Sequence, residues 1–167
     1  MSKTQDNLKT AFAGESQASR KYTYFAEKAD AEGQPQVARL FRAAAEAETV
    51  HARNHLNALG GIGSTRDNLR AAISGEHYEF TQMYPPFIKQ AEVDKDAKAE
   101  KSFNHANKVE EIHHTLYQQA LAALEKGAKL PEGAYYICPV CGNTVFGVAP
   151  DKCPICSTPG KMFKKIA

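Results

Sequence analysis

Side chains able to hold a metal ion recur in two patterns. The first is Glu-x-x-His, present as Glu48-Thr49-Val50-His51 and again as Glu110-Glu111-Ile112-His113. Spacing of three residues puts both side chains on one face of a helix, so each pair can offer a carboxylate and an imidazole to the same ion. Glu111 and His114 share that spacing, so a register shifted by one residue stays open, although the stripe through Phe103, Ala106 and Tyr117 favours Glu110 and His113. The second pattern is a pair of Cys-x-x-Cys knuckles, Cys138 with Cys141 and Cys153 with Cys156. Two such knuckles hold one ion in a tetrahedral thiolate site. Spacing alone leaves a structural zinc and a redox-active iron equally open, and zinc would take the tail out of any electron transfer.

The elements that must position these groups follow from the apolar periodicity. Four stripes run with helical spacing: Leu8 to Ala29, Val37 to Leu59, Leu69 to Phe87 and Ala99 to Leu124. Each is interrupted near its centre by a metal-capable residue, which adds Glu15, Glu76 and Glu79 to the two Glu-x-x-His pairs. Breaks at Glu32-Gly33-Gln34-Pro35, at Gly60 to Thr65 and at Asp94-Lys95-Asp96 divide the segment into four helices. Folded as hairpins about residues 32 and 95, these helices bring Glu15 level with Glu48, Glu76 with His113 and Glu79 with Glu110. The hairpins also resemble each other. Ala11-Phe12-Ala13-Gly14-Glu15 matches Ala72-Ile73-Ser74-Gly75-Glu76, and the Glu-x-x-His begins 33 residues after Glu15 but 34 after Glu76. Duplication and the shared demands of helix pairs both give such a likeness.

Five carboxylates at one level of an apolar core need a cation, because burying an unpaired carboxylate costs several kcal/mol and like charges repel. No Lys or Arg occupies the stripe positions. A Glu from each of two helices plus a Glu-x-x-His from each of two others is the ligand set of di-iron and di-manganese bundles, and oxygen donors with two imidazoles suit Fe or Mn. His55 reads as a packed core histidine, and His77 and His105 as surface residues.

Composition bounds the rest. The 167 residues, 43% hydrophobic, suffice for one medium domain with a small appendage. With 21 Lys+Arg against 19 Asp+Glu, no dense basic run and no apolar stretch near ~20 residues, neither nucleic-acid binding nor a membrane span is expected. The polar N-terminus lacks the apolar core of a secretory signal, which points to the cytoplasm. After Gly127 the texture turns to Pro, Gly, aromatics and all four Cys. The expected domains are therefore a helical domain over 1–130 and a metal-binding tail over 135–167.

Taken together, Ala13-Gly14-Glu15-Ser16-Gln17-Ala18, Glu48-Thr49-Val50-His51-Ala52, Gly75-Glu76-His77-Tyr78-Glu79, Met83-Tyr84-Pro85 and the two Cys-Pro-x-Cys knuckles resemble the rubrerythrin family in type and order. The resemblance covers essentially the whole chain. It implies an all-α, ferritin-like four-helix bundle with a non-haem di-iron centre, oxo-bridged when oxidised, followed by a rubredoxin-like domain with one iron on Cys138, Cys141, Cys153 and Cys156. It also implies reduction of hydrogen peroxide to water in oxidative-stress defence, with electrons from reduced rubredoxin or an NAD(P)H-dependent rubredoxin reductase. By the same resemblance Glu48 and Glu110 bridge the irons, Glu15 and Glu76 are terminal ligands, His113 holds the second iron, and Glu79 exchanges with His51 on the mobile one. Tyr22 and Tyr84 match family tyrosines that hydrogen-bond ligand carboxylates; packing as core aromatics is their simpler role. Glu79, released from iron, is a candidate proton carrier.

Two features depart from the family pattern. The connection from Leu59 to Thr65 is too short to climb the bundle between parallel second and third helices unless a helical turn unwinds, and pairing of hairpins between chains, a domain-swapped homodimer, is the expected solution. Ser157 stands where a knuckle glycine is usual, a change that bears on thiolate hydrogen bonding and iron potential. Competing functions are a ferroxidase or O2-reducing oxidase using the same ligands, and a non-enzymatic electron-transfer or metal-binding protein.

Overall fold

The computed structural model describes residues 2–167. They form two compact units, one ending at Gly63 and one running from Ser64 to Ala167.

The first unit is an antiparallel pair, α1 (Lys3–Ala31) and α2 (Pro35–Ala58). The Ser2 hydroxyl accepts from the Gln5 N–H and starts α1. Gly33, at φ 71°, makes the turn, and Pro35 opens α2, where a missing N–H costs nothing. The seam between the helices differs from the expected stripes. Ala26 and Ala29 pack with Ala38, and Ser19, Ala45 and Ala52 are buried too, whereas Leu40, which the stripe places inside, is 68% exposed. Small side chains at heptad spacing let two backbones approach closely, and the larger stripe residues stand on a face that this hairpin by itself leaves uncovered. A hydrogen bond of 2.9 Å between Ser19 Oγ and Thr49 Oγ1 bridges the seam.

The second unit begins with α3 (Thr65–Tyr78), capped by the Ser64 hydroxyl on the Asp67 N–H. One continuous third helix was the expectation. Instead a π-helical turn over Glu79–Met83 joins α3 to α4 (Tyr84–Asp94). Pro85 and Pro86 supply the cause, since neither can donate to a carbonyl one turn back and a Pro ring clashes with that carbonyl in a regular helix. The Tyr84 N–H accordingly reaches back five residues to the Glu79 carbonyl. Lys95 turns the chain in the left-handed conformation, and the Asp96 carboxylate caps α5 (Ala97–Glu125) by accepting from Lys98 and Ala99.

The tail is a three-stranded antiparallel sheet, β1 (Tyr135–Ile137), β2 (Thr144–Phe146) and β3 (Lys164–Ile166), in the order β2-β1-β3. Tyr136 pairs with Val145 on one side and Lys165 on the other. Cys138, Cys153 and Phe163 form its buried core. Gly160 is required at its position, because a Cβ there would collide with the Pro150 carbonyl. Among the described residues no helix is long and apolar enough to cross a membrane.

Candidate metal centres

Each unit gathers one set of carboxylate and imidazole donors within 4.8 Å of one another: Glu15, Glu48 and His51 in the first, Glu76, Glu110 and His113 in the second. Within each set the Glu-x-x-His pair closes on itself in the same way. His51 Nδ1 lies 2.8 Å from Glu48 Oε2, and His113 Nδ1 lies 2.9 Å from Glu110 Oε2. Glu76 Oε2 is 3.8 Å from the same His113 nitrogen. Glu111, the alternative in the shifted register, is exposed and takes no part.

The second set shows the strain that a cation would relieve. Burial, and then the neighbouring Glu110 charge, push the Glu76 carboxyl up to about 7, against a smaller opposing pull from His113. Glu79 is raised for the same two reasons, although its oxygens lie outside the tight cluster. The His113 imidazolium is favoured mainly by its hydrogen bond to Glu110, which outweighs the opposing cost of burial. Hard oxygens with one nitrogen per set fit a divalent Fe or Mn ion, and paired sets of this kind fit a di-iron centre.

The two hairpins agree beyond their ligands. Tyr22, Phe25 and Phe41 form a three-ring cluster with centroid distances of 6.2, 6.1 and 5.5 Å. Tyr84, Phe87 and Phe103 form another with distances of 6.4, 6.2 and 5.7 Å. Phe41 precedes Glu48 by seven residues and Phe103 precedes Glu110 by seven, but Tyr22 follows Glu15 by seven and Tyr84 follows Glu76 by eight. The extra residue is the one that the π turn absorbs. It accounts for the 33- and 34-residue spacings, and Glu79 is the first residue of that turn.

Tyr84 faces its carboxylates: burial, followed by the charges of Glu110, Glu79 and Glu76, raises its phenol. Tyr22 is placed by its ring contacts. His55 is half-buried, and His77 is exposed and packs on Phe80 and His114 at 5.4 and 5.5 Å. His105 is half-buried rather than a surface residue, and burial together with Lys101 and Lys108 lowers its pKa.

In the tail, Cys138 Sγ lies 3.5 Å from Cys156 Sγ and Cys141 Sγ 3.6 Å from Cys153 Sγ. These gaps are far beyond a disulfide bond and close to the ~3.8 Å edge of a tetrahedron with ~2.3 Å metal–sulfur bonds. Each knuckle is tied by matching backbone bonds, Gly142 N–H to the Cys138 carbonyl at 3.0 Å and Ser157 N–H to the Cys153 carbonyl at 2.9 Å. Both turning residues are left-handed, Gly142 at φ 82° and Ser157 at φ 65°. Asn143 Nδ2 and Thr158 Oγ1 reach the sulfurs of Cys153 and Cys156 at 3.7 and 3.1 Å. Burial alone would raise the Cys156 thiol, but hydrogen bonds from Thr158, Cys138 and Cys141 bring it down to about 6. Sequence reasoning missed Asn143, Thr144 and Thr158. Position two after a knuckle cysteine was a usable signal for Asn143 and Thr158, but nothing local marks Thr144.

The comparisons agree with this geometry. A family model described as Rubrerythrin matches residues 6–121, and one described as Rubrerythrin, rubredoxin-like domain matches residues 136–164. Rubrerythrin-2 of Clostridium acetobutylicum is 37% identical, covering 96% of this chain and 95% of its own. A rubrerythrin of Porphyromonas gingivalis is 38% identical over 98% and 90%, and nigerythrin of Nitratidesulfovibrio vulgaris 36% over 96% and 85%. The solved fully reduced, all-ferrous state of nigerythrin matches with a TM-score of 0.59 at 33% identity, covering 99% of this chain and 88% of that one.

Proposed function

The chain belongs to the rubrerythrin family, and we propose that it is a non-haem di-iron peroxidase, reducing hydrogen peroxide to water with electrons fed through its four-cysteine iron site. The observation that carries this reading is the presence of two equivalent carboxylate–histidine sets and one tetrathiolate cluster in a single chain. In this reading residues 1–130 make the di-iron domain and 135–167 the electron-input domain. Four free thiols suit a reducing compartment, here the cytoplasm.

When bound, two ferrous ions supply two electrons and a Lewis-acid clamp for cleavage of the O–O bond. The balance is H2O2 plus two electrons and two protons to two waters. Glu15, Glu48 and His51 with Glu76, Glu110 and His113 hold and orient the ions. Burial and the neighbouring Glu110 charge raise the proton affinity of Glu79, beside that set, which suits its carboxyl to carry a proton to the departing oxygen. His51 and Glu79 would be alternative ligands to one ion, and Glu79 would be free to carry its proton when His51 holds that ion. Tyr84, and Tyr22 by its equivalent place, orient the ligand carboxylates. Reduced rubredoxin or an NAD(P)H-dependent rubredoxin reductase refills the tail iron.

The working form is a homodimer with hairpins exchanged. Levelling Glu76 with His51 inside one chain requires a climb of about 27 Å, at ~1.5 Å per residue along α2 to Ala58 and along α3 from Thr65. No turn of either helix unwinds, and the Gly61 N–H still bonds to the Leu56 carbonyl. Only four steps remain from Gly61 to Thr65, about 14 Å fully extended. These lengths support a reading in which the set of one copy is completed by the complementary set of another.

The test is peroxide-dependent oxidation of NADH by the iron-loaded protein with a rubredoxin and its reductase. Turnover that needs both iron and peroxide is expected. Turnover with O2 alone would move the reading to an oxidase.

A further inference from the structure

Besides its ligand neighbours, His113 has one other polar partner among the described residues. Its Nε2 lies 2.9 Å from the hydroxyl of Thr144, the first residue of β2 in the cysteine tail. The same hydroxyl lies 3.1 Å from the Gly142 carbonyl. A carbonyl only accepts, so the single Thr144 proton goes to Gly142, and the oxygen is left to accept from a proton on His113 Nε2. That assignment leaves Nδ1, the nitrogen facing Glu110 and Glu76, as the ring position for a metal ion. The contact is part of a seat. One turn before His113, the buried Val109 has its Cγ1 at 3.7 Å from where a Gly142 Cβ would stand. Leu69, Leu116, Tyr117 and Ile137 wall an adjoining apolar cavity of about 440 Å³ that both His113 and Thr144 line. His51 differs: its side chain is 54% exposed, and among the described residues its ring is bonded only to Glu48.

We propose that Thr144 is a positioning residue, which fixes His113 with its proton on Nε2 and Nδ1 turned to the metal, so that seating of the cysteine tail on α5 and metal binding at the carboxylate–histidine set reinforce one another. The proposal rests on the di-iron reading of that set. A ring held at its outer nitrogen by a partner typically binds metal 10- to 100-fold more tightly than one that is not. Coupling is reciprocal, so a metal on Nδ1 equally favours the docked tail. This makes one of the two histidines a fixed ligand and leaves His51 free to exchange.

The test compares the full-length wild type, Thr144→Ser and Thr144→Val, each titrated with zinc(II) beyond what the cysteines take up. Two readouts are the 15N and proton signals of the His113 ring and the zinc affinity by competition. Wild type and T144S should show a slowly exchanging Nε2 proton with Nδ1 bound to zinc. T144V should lose that protected proton and bind the second-set zinc about tenfold more weakly. Unchanged ring signals and affinity in T144V would overturn the proposal, as would failure of T144S to match wild type, which would assign the role to the methyl group. A wild-type His113 ring that zinc leaves unmoved would instead refute the metal-centre reading itself.

Discussion

Tyr22 and Tyr84 occupy equivalent places in two copies of one helical hairpin, each closing a three-ring cluster whose last phenylalanine lies seven residues before a Glu-x-x-His. The equivalence holds only because the π turn from Glu79 to Met83 takes up one surplus residue. Without it, every side chain after Glu79 would be rotated about 100° from its counterpart in the first hairpin. The same turn introduces a further difference between the two sets, a third carboxylate where the first hairpin has Ala18. Two otherwise similar candidate sets thus differ by one additional acid.

Glu79 should therefore matter to turnover more than to metal loading. In the proposed mechanism, replacement by Ala would remove the proton donor and leave the other six proposed ligands in place, and general acid groups contribute roughly 100-fold or more. Stopped-flow kinetics of reduced E79A with peroxide should show a fall of about that size at nearly normal iron content. An unchanged rate would remove the proton role.

Exchange of hairpins makes a sharper prediction for mixed dimers. A chain carrying Glu15→Ala and Glu48→Ala should be inactive, and so should one carrying Glu76→Ala and Glu110→Ala. Co-expressed with separate tags and purified as the heterodimer, the two should recover one intact site per dimer and about half the wild-type activity. Bundles closed within each chain would recover nothing, and that outcome would end the swapped arrangement.

Without metal, the second set should make stability fall with rising pH. Glu76 titrates near 7 when folded against an ordinary 4.5, so the folded state binds the proton more tightly and stability is lost across that interval. His113, raised by its bond to Glu110, acts in the same sense through and above 6.5. The depressed Cys156 thiol acts oppositely, so the informative quantity is the difference between wild type and Glu76→Gln. In chelator-treated protein E76Q should melt above wild type at pH 8 and lose that advantage at pH 5. An equal offset at both values would contradict the account.

Ser157 pays a conformational penalty that its counterpart Gly142 avoids. A non-glycine residue at φ 65° costs about 1–2 kcal/mol, part of which glycine returns through its freer unfolded chain. Ser157→Gly should stabilise the tail by about 0.5–1 kcal/mol, read as slower amide exchange at Cys153, whose N–H donates to the Thr158 carbonyl and closes the knuckle. Faster exchange would mean that the serine hydroxyl supplies something the strain argument omits.

Much of the site was legible because metal sets declare themselves as polar interruptions of apolar stripes, and hairpin symmetry about residues 32 and 95 places Glu15 beside Glu48 and Glu76 beside His113. The fold was legible for a related reason: Gly33, Pro35 and Asp96 punctuate the helices where the turns occur. The seam of the first hairpin was not, since alanine carries little hydrophobic signal and Ala38, Ala45 and Ala52 were overshadowed by Leu40 and Phe41. Nor was the π turn, although the one-residue discrepancy between the repeats and the Pro85-Pro86 pair were both in view. Thr144 could not be found at all, because its partner lies 31 residues away on another element.

The central claim is a path for electrons from the thiolate iron to peroxide at the paired carboxylate–histidine sets. The most direct measurement mixes the anaerobically reduced, iron-loaded protein with peroxide, and separately with O2, while following the visible absorption of the tail iron. The account predicts rapid return of the ferric-thiolate colour with peroxide and slow return with O2. Faster return with O2, or a tail iron that stays reduced while peroxide is consumed, would contradict it.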